Sequence, residues 1–156
     1  MSETTATPPK RDRAGVIAPP PLIFLAVFLL GWFGRNLLPR YQSIVVGAVL
    51  ILVAAAIIAW AATTLLRAHT TVDPFQPTTA LVTTGPFRFT RNPLYLAMTI
   101  AYVGASLWTA SMTSDVLLPL AIVILHFGVI RREERYLEGK FGDTYREYRR
   151  RVRRWV

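Results

Sequence analysis

Four apolar blocks, separated by short polar stretches, organise this chain. The first lies in LIFLAVFLLGWFGRNLLPR, the second fills Ser43 to Leu66 without a charge, and the third runs from Pro93 to Ala110. The fourth, Val116 to Ile130, follows the polar turn SMTSD and carries Pro119 in its first turn. A helix needs about 20 apolar residues to cross a hydrocarbon core of ~30 Å. The second block meets that length. The first is short and contains Arg35, which must snorkel or face protein. The fourth block as written rises only about 22 Å, which moves its expected start back toward Met112. The pattern predicts an all-α integral membrane protein with four transmembrane helices, at about 21–38, 43–66, 93–110 and 112–130. Residues 1–20 read as a disordered, Pro-rich tail, and 21–156 as one membrane domain. A cleaved signal peptide is the rival reading of the first block, but no small-residue cleavage pattern follows it.

Charge follows the same blocks. Lys10, Arg11 and Arg13 precede the first, Arg67, Arg88 and Arg91 lie in the 67–92 loop, and ten Lys and Arg lie between Arg131 and Arg154. With four spans these segments share one side, and only Arg35, Arg40 and Asp115 fall on the other. The bias of basic residues toward the cytoplasm then places both termini inside. The net charge of +9 raises a nucleic-acid partner, but beside four spans the anionic membrane surface is the better use of it, so no nucleic acid is expected. The chain has no Cys and two His, His69 and His126, so neither disulfides nor a metal site is expected. In the tail, Phe141, Tyr145, Tyr148, Val152 and Trp155 recur at helical spacing with Arg on most other faces. That stripe predicts an amphipathic C-terminal helix, within 131–156, lying in the membrane interface.

Two polar segments carry the candidate chemistry. In GPFRFTRNPLYLAM, Asn92 is a good N-cap and Pro93 a good first helical residue. A helix starting there would offer free N–H groups to an anion, with Arg91 beside it for a carboxylate and Tyr95 in the same turn. In RREERYLEGKFG, Glu133 and Glu134 stand at the exit of the fourth block, where basic residues are the rule. The bland readings are a capped helix at headgroup level and an ion-paired helix surface. Taken together, the segments offer complementary charges, and a zwitterion carrying a further cation, such as S-adenosylmethionine, fits them.

The run TTVDPFQPTTALVTTGPFRFTRNPLYLA, followed after a hydrophobic span by EERYLEGKFGDTYREYRRRVRRW, resembles the small prokaryotic branch of the isoprenylcysteine carboxyl methyltransferase family, itself related to phospholipid N-methyltransferases. The likeness covers Thr70 to Trp155. The family pattern, R-H-P-x-Y-x-G and then E-E, falls on Arg91, Asn92, Pro93, Tyr95, Ala97, Glu133 and Glu134. Asn92 stands where the family has His, and Ala97 where it has Gly, which narrows the expected pocket by one methyl. The resemblance implies S-adenosylmethionine as cofactor, a prokaryotic inner membrane and its lipids as surroundings, and a lipidic or amphiphilic acceptor entering from the bilayer. Arg91, Asn92 and Pro93 would meet the cofactor carboxylate or an acidic acceptor, Glu133 and Glu134 the cofactor's ammonium or ribose hydroxyls, and Tyr95 its sulfonium. Arg91 and Glu134 are the expected catalytic pair, Glu134 being the nearby candidate base if the acceptor is an amine.

Two rivals differ in kind. A non-enzymatic four-helix protein, such as an assembly factor or small transporter, would use the same spans, but a transporter calls for internal repeats or charges near span centres. A membrane reductase of the sterol-reductase kind, using NADPH, would favour Arg groups for phosphates over paired acids. His126 reads as a buried His bonded to a neighbouring helix, and Gly104, Ala105 and Ser106 as small residues that let helices approach.

Overall fold

The computed structural model describes residues 14–73 and 75–155. These form helices and loops, with no strand among the described residues: α1 (Pro20–Phe33), α2 (Ile44–Arg67), a short 3-10 turn (Gly85–Arg88), α3 (Pro93–Thr109) and α4 (Met112–Leu125). A π-helical turn, His126–Ile130, joins α4 directly to α5 (Arg131–Arg151), which kinks at Gly142. Lys10, Arg11, Arg13 and most of the expected tail lie outside the described residues. The end of that tail is packed: Val16 is buried in the core, and the Ile17 N–H donates to the Gly128 carbonyl at 3.2 Å. The π turn leaves that carbonyl available, because the i→i−4 ladder is interrupted there.

The helices run antiparallel. At one end, the Ser43 N–H and the Gln42 side chain donate to the carbonyls of Leu107 and Trp108, tying the start of α2 to the end of α3. At the same end, Thr113 donates to the Gly34 carbonyl and ties α4 to the end of α1. Small residues set the spacing. A Cβ on Gly47 would lie 2.6 Å from the Gly104 carbonyl oxygen, so α2 and α3 meet backbone to backbone, and a Cβ on Gly31 would strike Ser114. Gly104 therefore does what its sequence context predicts. Buried hydroxyls are satisfied within the bundle, as an apolar surrounding requires. Tyr102 donates to the Ser114 carbonyl at 2.7 Å, Ser114 to the Phe28 carbonyl at 3.1 Å, and Ser106 to the Ser111 carbonyl at 2.8 Å.

The outside of the bundle is apolar. Leu25 and Leu30 on α1, Val45 and Leu52 on α2, and Val116 and Val123 on α4 are exposed. So much exposed aliphatic surface suits lipid rather than water. Two helices are long and apolar enough to cross a membrane: α2, and the helical stretch from Met112 to Arg151, whose apolar part ends at Ile130. Helix α1, with 14 residues, rises about 21 Å, and α3, with 17, about 26 Å. The expected four spans thus become two full-length helices and two short ones. Helix α1 stops at Phe33, not near Leu38. Gly34 and the following Arg35 and Asn36 turn the chain, and the Leu37 N–H closes on the Gly34 carbonyl at 2.9 Å.

The C-terminal segment departs from the expected single interfacial helix. Gly142 has φ 53° and ψ −124°, which breaks α5, and the helix ends at Arg151 with Val152 already extended. Tyr145 and Tyr148 are buried, and Trp155 packs on the core cluster. The aromatic stripe is directed into the end of the bundle, where its hydroxyls find partners, rather than onto a lipid surface.

Candidate functional site

A cavity of about 140 Å³ opens at the end of the bundle where α3 begins and α5 leaves. Arg91, Asn92, Pro93, Tyr95, Glu133 and Glu134, all expected from the sequence, line it. So do Tyr136, Tyr145 and Tyr148 from α5, and Thr71, Asp73, Thr78 and Leu81 from the long loop after α2. The loop is held over the cavity by bonds from the Thr78 N–H to the Tyr136 hydroxyl at 3.1 Å and from the Thr79 N–H to the Thr70 hydroxyl at 3.1 Å.

Helix α3 begins at Pro93, as its sequence predicts, but Asn92 does not cap it. Its amide donates instead to the Arg154 carbonyl at 2.9 Å, and Thr90 donates to the same oxygen at 3.0 Å. The Arg91 N–H donates to the Arg153 carbonyl at 2.9 Å. The extended chain after α5 is thus clasped along residues 90–92. The cap fails because the nearest strong acceptor is this tail, and no side chain covers the amides of the first turn of α3.

Arg91 and Glu134 meet directly. Arg91 Nη1 lies 2.9 Å from Glu134 Oε1, with only 10% and 11% of the two side chains exposed. Arg154 grips the same carboxylate with two parallel bonds, Nε to Oε1 at 2.9 Å and Nη2 to Oε2 at 2.7 Å. Burial pushes the Glu134 carboxyl up, but the Arg154 bonds and the charges of Arg91 and Arg154 outweigh it, so it ionises below the ordinary range. Two guanidiniums share one carboxylate, which leaves a positive charge over. Arg91 Nε is buried and has no hydrogen-bond partner among the described residues. A buried donor left unpaired costs about 1–3 kcal/mol, so this atom calls for an acceptor that the described residues do not supply.

Glu133 behaves differently. Its Oε1 accepts a 2.7 Å bond from the Tyr95 hydroxyl across the α3–α5 contact. Burial is the main cause that pushes its carboxyl up, to about 7, with the Glu134 charge adding to the rise and the Tyr95 bond opposing it. Burial also raises the hydroxyls of Tyr145 and Tyr148. Tyr148 donates to the Phe87 carbonyl at 2.7 Å, and Tyr145 accepts from Arg91 at 3.4 Å.

Arg154, Tyr136, Tyr145 and Tyr148 are absent from the sequence-expected site. Arg154 was hidden in a run of arginines, and the tyrosine spacing was legible but read as facing lipid. Ala97 is fully buried yet does not line the cavity, so its methyl narrows nothing there. His126 lies outside the cavity and half-buried, with its ring edge against Phe127 at 4.9 Å. Among the described residues no three His, Cys, Asp or Glu stand together to hold a metal ion.

A helical bundle with an apolar exterior and a polar, charged cavity at one end defines a membrane-associated protein with a binding site at one end of its helices. Residues 42–144 match the phospholipid methyltransferase family, and the chain belongs to it. It is 36% identical over 72 residues to the cobalt-zinc-cadmium resistance protein CzcN of Cupriavidus metallidurans, covering 46% of this chain and 33% of that one. It is 33% identical over 72 residues to the protein-S-isoprenylcysteine O-methyltransferase of Schizosaccharomyces pombe, covering 46% and 30%. It is 40% identical over 68 residues to methanethiol S-methyltransferase 1 of Bradyrhizobium diazoefficiens, covering 42% and 22%. The chain therefore spans a third or less of these relatives' lengths. No solved structure matches it.

Proposed function

We propose that this chain is an S-adenosylmethionine-dependent membrane methyltransferase acting on a lipidic or amphiphilic acceptor. The observation that carries the reading is the Arg91 cluster: a buried Nε with no partner among the described residues, in a group holding one more positive than negative charge, lining the cavity. Such a group suits the carboxylate of an amino-acid moiety. Pro93 has no N–H and the Asn92 N–H is bonded to Thr90, so the donors that the uncapped first turn of α3 would add are the N–H groups of Leu94 and Tyr95.

The residues present fit the cofactor. Arg91 would hold its carboxylate. Glu134, three of whose roughly four acceptor positions are taken by Arg91 and Arg154, keeps one for its ammonium. Tyr95 would place its ring near the cationic centre. When bound, the cofactor supplies a methyl group already activated on a sulfonium. The protein's remaining tasks are to align the acceptor and exclude water. Leu65, Leu81, Val82 and Leu94 give the cavity an apolar side, which suits an acceptor with a hydrocarbon part. The relatives' names cover both O- and S-methylation, so family membership leaves the accepting atom open.

Calorimetric titration of the detergent-solubilised chain with S-adenosylhomocysteine tests the cofactor. Binding in the micromolar range is expected, weakened at least tenfold by Arg91→Ala. Absence of heat at high micromolar ligand, or stabilisation by NADPH in its place, overturns the reading.

A further inference from the structure

We propose that Glu133, anchored by Tyr95 inside the cavity, takes the proton of the methyl acceptor, and that the acceptor enters carrying that proton, as a thiol or an amine rather than a carboxylate. The inference rests on the cofactor reading above and adds the substrate class and the base. Sequence reasoning singled out Glu134 for this part. The geometry points to its neighbour. Glu134 is held by Arg91 and by both bonds of Arg154, and a carboxylate so paired is a weak base. Glu133 lines the same cavity, and among the described residues no guanidinium or ammonium pairs with it. Among the described residues its one hydrogen bond is to Tyr95, which leaves its second oxygen for a proton.

The other charged or titratable groups facing the cavity are Tyr95 from α3, Asp73 from the loop, Arg91 just before α3, and Glu134, Tyr136, Tyr145 and Tyr148 from α5. The nearby negative charge of Glu134 and the burial of Glu133 both strengthen its hold on a proton, which brings its carboxyl near neutrality. That suits a group that must accept a proton at working pH. A carboxylate acceptor brings no proton and has no use for such a group. In the step, a lone pair on the acceptor sulfur or nitrogen forms the bond to the methyl carbon. The methyl–sulfur bond of the donor breaks, with its electron pair left on that sulfur. The acceptor's proton passes to Glu133.

The test uses the full chain in detergent micelles with methyl-labelled S-adenosylmethionine and three probes: dodecanethiol, dodecylamine and dodecanoate. Label in the thiol or the amine is expected. Glu133→Gln should lower that rate at least a hundredfold and remove the rise of rate with pH, while S-adenosylhomocysteine binds within threefold of the unaltered chain. Glu133→Asp should restore part of the rate. Label in dodecanoate alone, no label in any probe despite homocysteine-analogue binding, or an unchanged rate in Glu133→Gln each overturns the proposal. Loss of S-adenosylhomocysteine binding in Glu133→Gln also overturns it, by making Glu133 a cofactor contact. Failure of the unaltered chain to bind that ligand is a separate result, and it removes the cofactor reading itself.

Discussion

At the scale of single residues, two adjacent acids on α5 are driven apart by their neighbours. Glu133 has its carboxyl raised to about 7, chiefly by burial, whereas an unfolded Glu titrates near its ordinary value. The folded state therefore holds a proton that the unfolded state has lost. Stability falls as pH rises from about 4.5 to about 7 and is level above that, a loss of about 3 kcal/mol over the interval. Thermal unfolding followed between pH 5 and 8 should show this slope, and Glu133→Gln should flatten it. For Glu134 the sign is opposite, since its carboxyl is lowered and its contribution is lost only on acidification. Removing this acid strands two guanidiniums, one of them largely buried. Glu134→Ala should therefore cost about 3 kcal/mol or more. Adding Arg154→Ala to it should cost less than the sum of the two single changes, because the pair is one interaction.

At the scale of elements, the clasp between residues 90–92 and the tail joins the start of α3 to the end of α5. Asn92→Ala removes one of the two side-chain donors on the Arg154 carbonyl and should lower stability by about 1 kcal/mol, read as an earlier thermal midpoint. Gly142 turns α5 through a left-handed backbone conformation with nothing near its missing Cβ. Gly142→Ala should thus cost about 1–2 kcal/mol through backbone strain alone, and it should loosen Tyr145 and Tyr148 from the cavity. The helices themselves were legible, because runs such as Ser43 to Leu66 leave no other local choice. Pro93 marked the start of α3, and the paired acids and Arg91 marked part of the cavity lining. What could not be read was set by distant partners. Asn92 is an ordinary cap in its own neighbourhood, and only the arrival of the Arg154 carbonyl redirects it. Arg154 is one of ten basic residues in the tail, and no local pattern distinguishes it. The stripe at Tyr145 and Tyr148 has the period of an amphipathic helix whether lipid or protein covers it.

At the scale of the whole molecule, topology decides how the cavity meets its surroundings. The α1–α2 and α3–α4 connections lie together at one end, and the cavity lies at the other with the 71–82 loop and the basic tail. On the proposed function, an acceptor with a hydrocarbon part would reach Leu65 and Leu94 from the apolar exterior, and a water-soluble donor would reach Arg91 from the polar end. That arrangement requires the cavity end to face the compartment that supplies the donor, and the excess of basic residues there fits the cytoplasm. The chain has no Cys, so single cysteines report their side without background. A cysteine at Gln42, in the exposed α1–α2 connection, should react with a membrane-impermeant maleimide in intact cells. One at Asp143, whose side chain is 95% exposed beside the cavity end, should react only after permeabilisation. Labelling of both from outside would show that the chain does not separate its ends across the bilayer. The reverse pattern would place the cavity on the side where the cell makes no donor, and neither the lipid route nor the cofactor assignment could then hold together.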